Sequence, residues 1–227
     1  MVIYLQYFGG RGANSGINNY TDWLSMEGEG TVKTELEPID VGKYEGQSLE
    51  KIEARLRSLP HEELFAVDSS GKVIEAYKGD AVSVGFPASL LKEKDITVTH
   101  GHPKGYEEFG GTFSFADINN MLNSDWKEHR ATASGQGEMN YIMRRTDQAD
   151  AAALRIRINK DYLKLQRKTE DAYKTAYLKE KQLHGEKQAR HVARQKQVGV
   201  LNAYYKEVFP QYGFEYITRK KEYKYNR

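Results

Sequence analysis

The chain has 227 residues, 39% of them hydrophobic, and a formal net charge of +2 at pH 7. It contains no cysteine, which excludes disulfide bonds and thiolate metal sites, so a bound metal would have to be held by His, Asp or Glu. No stretch is long and apolar enough to span a membrane, and the N-terminus lacks the anatomy of a signal peptide. We therefore expect a cytoplasmic protein that does not associate with a membrane.

The small net charge conceals a division of the chain into two parts. Residues 1–150 hold 15 Lys and Arg against 24 Asp and Glu, whereas residues 151–227 hold 19 against 8. An acidic part followed by a basic part predicts two units with different roles.

The first 30 residues contain a glycine-rich stretch, Gly9 to Gly16. Such a composition predicts a flexible arm over residues 1–30, or an arm that a partner orders. A nucleotide site is the weaker interpretation, because no Gly-Lys-Ser/Thr follows the glycines.

Periodic patterns then predict a folded core over residues 31–148. Leu49, Ile52 and Leu56 recur at helical spacing behind Ser48, a suitable N-cap. A β-hairpin is predicted from the two apolar runs on either side of a Ser-Ser-Gly-Lys turn. Further strands are predicted at 82–86, 95–100 and 141–145, a helical turn at 89–92 and a helix from 114 onward. This order predicts an α+β fold in which helices sandwich a mixed β-sheet.

The basic part of the chain predicts a helical extension over residues 149–210 and a basic, tyrosine-rich tail over residues 211–227. Apolar residues step by three or four along two segments, with a break near His184 and Gly185. The plain interpretation is a solvated helical pair packed on the core. Binding of nucleic acid or of an acidic protein partner through residues 150–227 is the alternative, because lysines and arginines are interleaved with tyrosines.

The most specific pattern lies between residues 97 and 117, where a predicted strand ends in His-Gly-His-Pro and a Ser-x-x-Asp opens a helix. Because strand side chains alternate, His100 and His102 share one face. Asp117 would bring a carboxylate to the two imidazoles from the nearby helix. Three such ligands leave the fourth position of a tetrahedral Zn²⁺ open for water, as a catalytic zinc site requires. The pattern therefore predicts a Zn²⁺ site at His100, His102 and Asp117.

A zinc hydrolase also needs a group that moves protons. Glu62 and Glu63 precede the hairpin strand and are the candidates for the general acid/base, but only one of them can face the site. Ser114 could donate a hydrogen bond to a developing oxyanion. Simpler interpretations exist as well: Ser114 and Asp117 match a helix capping box, and the two glutamates suit an exposed surface.

His100-Gly101-His102-Pro103, followed by Ser114-Phe115-Ala116-Asp117, resembles the JAMM (JAB/MPN) motif of zinc isopeptidases, His-x-His-Pro and then Ser-x-x-Asp. The hairpin after Glu62 and Glu63 is similar to that of the bacterial RadC-like branch, in which a glutamate opens the strand. The resemblance spans about residues 60–145 and implies that branch's fold, a mixed sheet between helices.

The resemblance also implies a role for each residue of the motif. His100, His102 and Asp117 would bind zinc, Ser114 would support the oxyanion, and Glu62 or Glu63 would be the general acid/base. Two features depart from the family pattern: the interval between the proline and the serine is longer, and the glutamate lies closer to the hairpin turn. Glu62 keeps the parity of the family position, which favours it over Glu63.

The sequence thus predicts a zinc-dependent JAMM-type hydrolase that cleaves a peptide or isopeptide bond in a protein or peptide substrate. Segments 7–12 and 109–114 also look like pieces of phage and prophage proteins, which favours a phage-associated protein in the bacterial cytoplasm or the virion. The alternatives are a non-catalytic phage assembly or binding protein that retains the fold, and a metal-dependent nuclease.

Overall fold

The computed structural model describes residues 5–9, 36–81, 83–103, 111–135 and 139–220. The strands within these ranges are β1 (Leu5–Gly9), β2 (Glu37–Pro38), β3 (Glu63–Val67), β4 (Val73–Lys78), β5 (Ser83–Pro87), β6 (Thr97–His102), β7 (Glu128–Ala133), β8 (Met139–Arg145) and β9 (Phe214–Lys220). The α-helices are α1 (Leu49–Leu56), α2 (Phe115–Asn123), α3 (Ala151–His184) and α4 (Glu186–Val208).

A mixed seven-stranded sheet organises the described residues, in the order β2-β4-β3-β6-β7-β8-β9. Strands β6 and β7 are parallel, and every other pair of neighbours is antiparallel. Strand β6 is the middle strand, so both of its edges are hydrogen-bonded and both of its faces can be covered. Strand β5 pairs with β1 outside this sheet.

Helices cover both faces of the sheet. Helix α1 packs on one face, where Ile52 and Leu56 join the hydrophobic cluster around Phe65. Helices α2, α3 and α4 cover the other face, and Leu154 of α3 and Tyr205 of α4 are fully buried in its larger cluster. Burying an apolar side chain of this size contributes roughly 1.5–3 kcal/mol, so the basic helices are part of the folded core.

The α+β class and the mixed sheet predicted from the sequence are confirmed. Helix α1 begins after the predicted N-cap, since Ser48 Oγ accepts a hydrogen bond from the Lys51 N–H at 3.4 Å. The hairpin is present as β3 and β4, and the break between the two long helices is at Gly185. None of the helices in the described ranges has the length and apolar character needed to cross a membrane.

Three parts of the prediction need correction or fall outside the described ranges. Residues 214–220 are not tail but form strand β9, which pairs with β8 along its whole length. Strand β7 was missed altogether. Within the proposed N-terminal arm, Leu5–Gly9 is a strand, and the rest of residues 1–30 lies outside the described residues.

Candidate metal centre

Strand β6 carries both histidines of the motif to one face of the sheet. His100 and His102 are separated by one residue, so their side chains point the same way, toward helices α2, α3 and α4. Both rings are buried, with exposed fractions of 0% and 1%. The central position of β6 places them under the larger hydrophobic cluster instead of at a sheet edge.

Asp117 reaches the same place from the first turn of α2. Its backbone N–H donates to Ser114 Oγ at 3.1 Å, and the Ser114 N–H donates to Asp117 Oδ2 at 2.6 Å, which completes a capping box. The simpler interpretation of Ser-x-x-Asp is therefore realised, and it does not exclude the metal site. The cap fixes the carboxylate while Oδ1, which is buried and accepts no hydrogen bond, stays directed at the histidines.

The three side chains converge on one point. The two Nε2 atoms of His100 and His102 lie 2.8 Å apart, and Asp117 oxygens lie 3.3 Å from His100 Nε2 and 3.5 Å from His102 Nε2. Ligands about 2.0–2.1 Å from a tetrahedral Zn²⁺ are roughly 3.3 Å from one another. Within the described part of the chain, this is the one group of three or more potential ligands that could hold a metal ion.

The outer nitrogen of His102 is held by the backbone. Nδ1 lies 2.8 Å from the carbonyl oxygen of Gly111. A carbonyl can only accept, so Nδ1 carries the hydrogen and Nε2 of the neutral ring presents its lone pair to the centre of the cluster. His102 is therefore in the tautomer that a metal ion requires.

The outer nitrogen of His100 faces a third histidine, His129, which lies outside every motif of the sequence. Nδ1 of His100 lies 3.2 Å from Nε2 of His129, and His129 is fully buried on the neighbouring strand β7. The only sequence signal for His129 is its alternating position in strand β7, and that strand was not predicted. The contact joins residues 29 positions apart, and only the parallel register of β6 and β7 brings them together.

Burial and neighbouring groups both shift the pKa values of these residues. Burial lowers the pKa of His100 and outweighs the effect of Asp117. Burial also lowers the pKa of His129, and the neighbouring His100 lowers it further. For Asp117 burial alone would raise the pKa, but the two facing imidazoles hold it well below its ordinary value. A neutral His100 and an ionised Asp117 are protonation states that suit a bound metal.

Strand alternation separates the two candidate acid/base residues. Leu64 lies opposite His100 in the β3–β6 register, so the two side chains share a face. Glu62 extends the ladder beyond β3, since its N–H donates to Asp80 at 2.7 Å, and its parity puts it on the histidine face. Glu62 is buried, with 1% of its surface exposed.

Glu63 has the opposite parity and lies on the α1 face. Its carboxylate accepts hydrogen bonds from Arg55 and contacts His61 Nε2 at 3.0 Å. Burial raises the pKa of Glu63, but Arg55 and His61 more than offset this and lower it overall. Glu63 is therefore part of an ion-paired cluster on the other side of the sheet from the histidines.

The C-terminal elements hold the segment that supports the site. Thr112 Oγ1 lies 2.6 Å from the Tyr216 hydroxyl of β9, which donates to Asn202 of α4 at 2.6 Å. The Tyr205 hydroxyl of α4 donates to the Phe113 carbonyl at 3.2 Å. Thr112 and Phe113 lie between Gly111, whose carbonyl accepts from His102, and Ser114, the N-cap of α2. Most of the long interval between Pro103 and Ser114 lies outside the described residues.

Comparison of the chain with protein-family models, curated proteins and solved structures finds no match. The functional assignment therefore depends on the geometry of this site and on the resemblance of its motif.

Proposed function

We propose that the protein is a zinc-dependent hydrolase of JAMM type that cleaves a peptide or isopeptide bond. The observation that carries the proposal is the convergence of three buried side chains: two imidazole nitrogens 2.8 Å apart, and a carboxylate whose Oδ1 lies 3.3 Å from one nitrogen and whose Oδ2 lies 3.5 Å from the other. The donor set contains no thiolate and leaves a fourth tetrahedral position for water, which is the composition of an open, catalytic zinc site.

His100, His102 and Asp117 would hold the ion. When bound, Zn²⁺ lowers the pKa of water and polarises a carbonyl, which supplies a nucleophile without an activated serine or cysteine. The protein has to keep the imidazoles neutral and the carboxylate ionised. Burial lowers the pKa of His100, and the capping N–H of Ser114 donates to the Asp117 carboxylate. The Gly111 carbonyl behind His102 fixes the tautomer of that ring.

Glu62 is the residue we assign as general acid/base, and Ser114 as the support for the oxyanion. Glu62 shares the face of the histidines, whereas Glu63 is engaged by Arg55 on the opposite face. A buried carboxylate can take a proton from the attacking water and return it to the leaving nitrogen. The Ser114 hydroxyl accepts from the Asp117 N–H, so its own hydrogen remains available for donation.

Metal analysis tests the site. Protein purified without chelator should contain about one zinc per chain, and a His100→Ala/His102→Ala double variant should contain none. A matched control is His191→Ala, because His191 lies on α4 and is bonded to Gln195 instead of to the cluster. Wild-type protein without zinc, under conditions where the control folds, would refute the proposal.

Turnover tests the assignment of the glutamates. Zinc-loaded wild type should cleave members of a set of fluorogenic peptides and lysine isopeptides. Glu62→Gln should keep its zinc and lose at least about 100-fold in rate, as removal of a general acid/base does. Glu63→Gln should keep both zinc and most of the activity. Equal rates for wild type and Glu62→Gln would show that the acid/base assignment is wrong.

The depth of the site favours one alternative, a non-catalytic assembly or binding protein that retains the fold. His100, His102 and Asp117 are at most 1% exposed, so a substrate carbonyl can reach them only after neighbouring chain has moved. A protein that binds zinc, is stabilised by it and cleaves none of the peptides would support this alternative. The same measurements therefore discriminate the two functions.

A further inference from the structure

His129 is a fully buried polar residue that the proposed chemistry does not use. It lies on β7 directly behind His100, with its Nε2 3.2 Å from His100 Nδ1. Its ring is packed between aromatic side chains, with ring centroids 5.0 Å from Phe113 and 5.4 Å from Trp126. A leucine or phenylalanine would fill such a pocket with less cost in desolvation, so the presence of an imidazole calls for an explanation.

We propose that His129 is a positioning residue for the metal site, in which its Nε2 accepts the hydrogen of His100 Nδ1. This contact would hold His100 in the tautomer whose Nε2 lone pair faces the ion. The inference rests on the proposed function only through metal binding, and it does not require that the protein be catalytic.

The two histidines that would hold the ion differ in what their outer nitrogens face. The outer nitrogen of His102 faces a backbone carbonyl, which can only accept, so the tautomer of His102 is fixed. The outer nitrogen of His100 faces another imidazole, which can either donate or accept. The tautomer of His100 is therefore decided by where His129 carries its own hydrogen.

The surroundings of His129 favour the accepting arrangement. His100 Nε2 is directed at His102 and Asp117, and its Nδ1 is directed at His129 Nε2. If Nε2 of a neutral His100 presents its lone pair to an ion, the hydrogen of that ring is on Nδ1 and points at His129 Nε2. His129 Nε2 must then accept it, and the hydrogen of His129 belongs on Nδ1.

The aromatic packing would prevent His129 from turning away. Trp126 is fully buried, and its indole N–H donates to the Leu90 carbonyl at 2.7 Å, so this wall of the pocket is itself anchored. Partners that orient a ligand histidine typically change metal affinity by about 10–100-fold when they are removed.

The test measures metal affinity in two variants of nearly equal bulk. His129→Leu fills the apolar pocket without an acceptor, whereas the Oε1 atom of His129→Gln can replace Nε2 as acceptor. Each folded protein is titrated with Zn²⁺ against a chelator and with Co²⁺, whose visible absorption reports the geometry of the ligands. His191→Leu, at a buried histidine away from the cluster, is the control.

We expect His129→Leu to bind Zn²⁺ about 10–100-fold more weakly than wild type and to change the Co²⁺ spectrum. His129→Gln should recover most of the affinity, and the control should match wild type. Unchanged affinity and spectrum in His129→Leu would overturn the inference and leave the metal site standing. Wild type that binds neither ion would overturn the inference and the proposed function together.

A measurement on the wild type keeps the inference testable if both variants fail to fold. In ¹⁵N-labelled, zinc-loaded protein, the ring nitrogen shifts of His100 and His129 should both show hydrogen on Nδ1. Hydrogen on Nε2 of His129 would overturn the inference, because that nitrogen could not accept from His100.

Discussion

Both faces of the sheet bury carboxylates, but the partners of these carboxylates differ between the two faces. On the α1 face, Glu53, Glu63 and Glu128 are each held by at least one arginine. On the other face, Asp117 is buried against imidazoles and a helix cap, with no arginine in the cluster that could hold a metal.

The difference separates structural charge pairs from a candidate functional site. A buried carboxylate paired with a guanidinium is permanently neutralised, because arginine does not lose its proton in proteins. A carboxylate that faces imidazoles and no arginine has no permanent positive partner, and a divalent ion would supply that charge. If the two faces are independent, a change on one face should leave the other intact.

The largest loss of stability is expected on the α1 face. Arg130 bonds both Glu53 and Glu128, and its side chain is 14% exposed. Replacing it in Arg130→Met leaves two buried carboxylates without this partner and should lower the free energy of unfolding by about 3–5 kcal/mol. Arg144→Met is the matched control, because Arg144 also pairs with Glu128 but is 35% exposed, and it should cost less. Urea unfolding measures both.

Zinc content provides the companion readout for Arg130→Met. The folded variant should bind as much zinc as wild type, since Arg130 lies on the opposite face from the histidines. Loss of zinc from the folded variant would contradict the independence of the two faces.

Metal removal should produce the next largest effect. With free Zn²⁺ at about 100 times its dissociation constant, the folded state gains about 2.7 kcal/mol. Wild type should lose this stabilisation when a chelator is added, whereas His100→Ala/His102→Ala should unfold at the same urea concentration with and without zinc. A zinc-dependent midpoint in the double variant would place the binding site elsewhere.

Glu63→Gln should have an intermediate effect on stability. The carboxylate makes charged hydrogen bonds with Arg55 and His61, and a buried interaction of this kind contributes about 1.5–3 kcal/mol. Because Arg55 is 38% exposed, water can replace part of what is lost, and we expect the lower half of this range. An unfolding free energy equal to that of wild type would mean that the pair contributes nothing measurable.

The same pair predicts a pH dependence. The pKa of Glu63 is lower in the folded protein than in the unfolded chain, so the folded state binds fewer protons there. Its contribution is fully present above the unfolded value of about 4.3 and is lost as the pH falls through the folded pKa. The difference in unfolding free energy between wild type and Glu63→Gln should therefore be constant near neutral pH and shrink below about pH 4. A difference in unfolding free energy that increased in acid would mean that folding raises the pKa of Glu63 instead of lowering it.

The smallest effect is expected where the C-terminal elements meet the site. Tyr216→Phe removes a hydroxyl that bonds Thr112 and Asn202 and should cost about 1–2 kcal/mol, because both partners lose a bond. Zinc binding should persist, since Tyr216 does not touch a ligand. Loss of zinc would show that residues 111–113 depend on this one hydroxyl for their position.

Local patterns were enough to predict most of the elements that carry the site. The His-x-His spacing, the Ser-x-x-Asp cap and the helix after Ser48 are relationships within a few residues, and each is present as the sequence indicates. Because side chains alternate along a strand, the sequence predicts that Glu62 and Glu63 point to opposite faces of the sheet. The face on which each one lies follows from the pairing of β3 with β6.

Strands β7 and β9 were not predicted, because their charged residues find partners far away in sequence. Strand β7 carries two charged residues among buried ones, and Glu128 is itself buried. Glu128 is paired there with Arg144, and Arg130 with Glu53. Phe214 and Tyr216 alternate with exposed or half-buried residues and were absorbed into a basic tail. Burial of charge depends on the partner, so a local pattern does not reveal it.

The sequence by itself determined the types and spacing of the residues that could hold a metal ion, and the absence of thiolates. Only the tertiary structure decided that His129 lies behind His100, that Glu62 shares the histidine face, and that the basic helices pack over the site. The physical reason is that side-chain alternation and helix capping act over one to four residues, whereas strand register and the packing of layers join residues tens of positions apart.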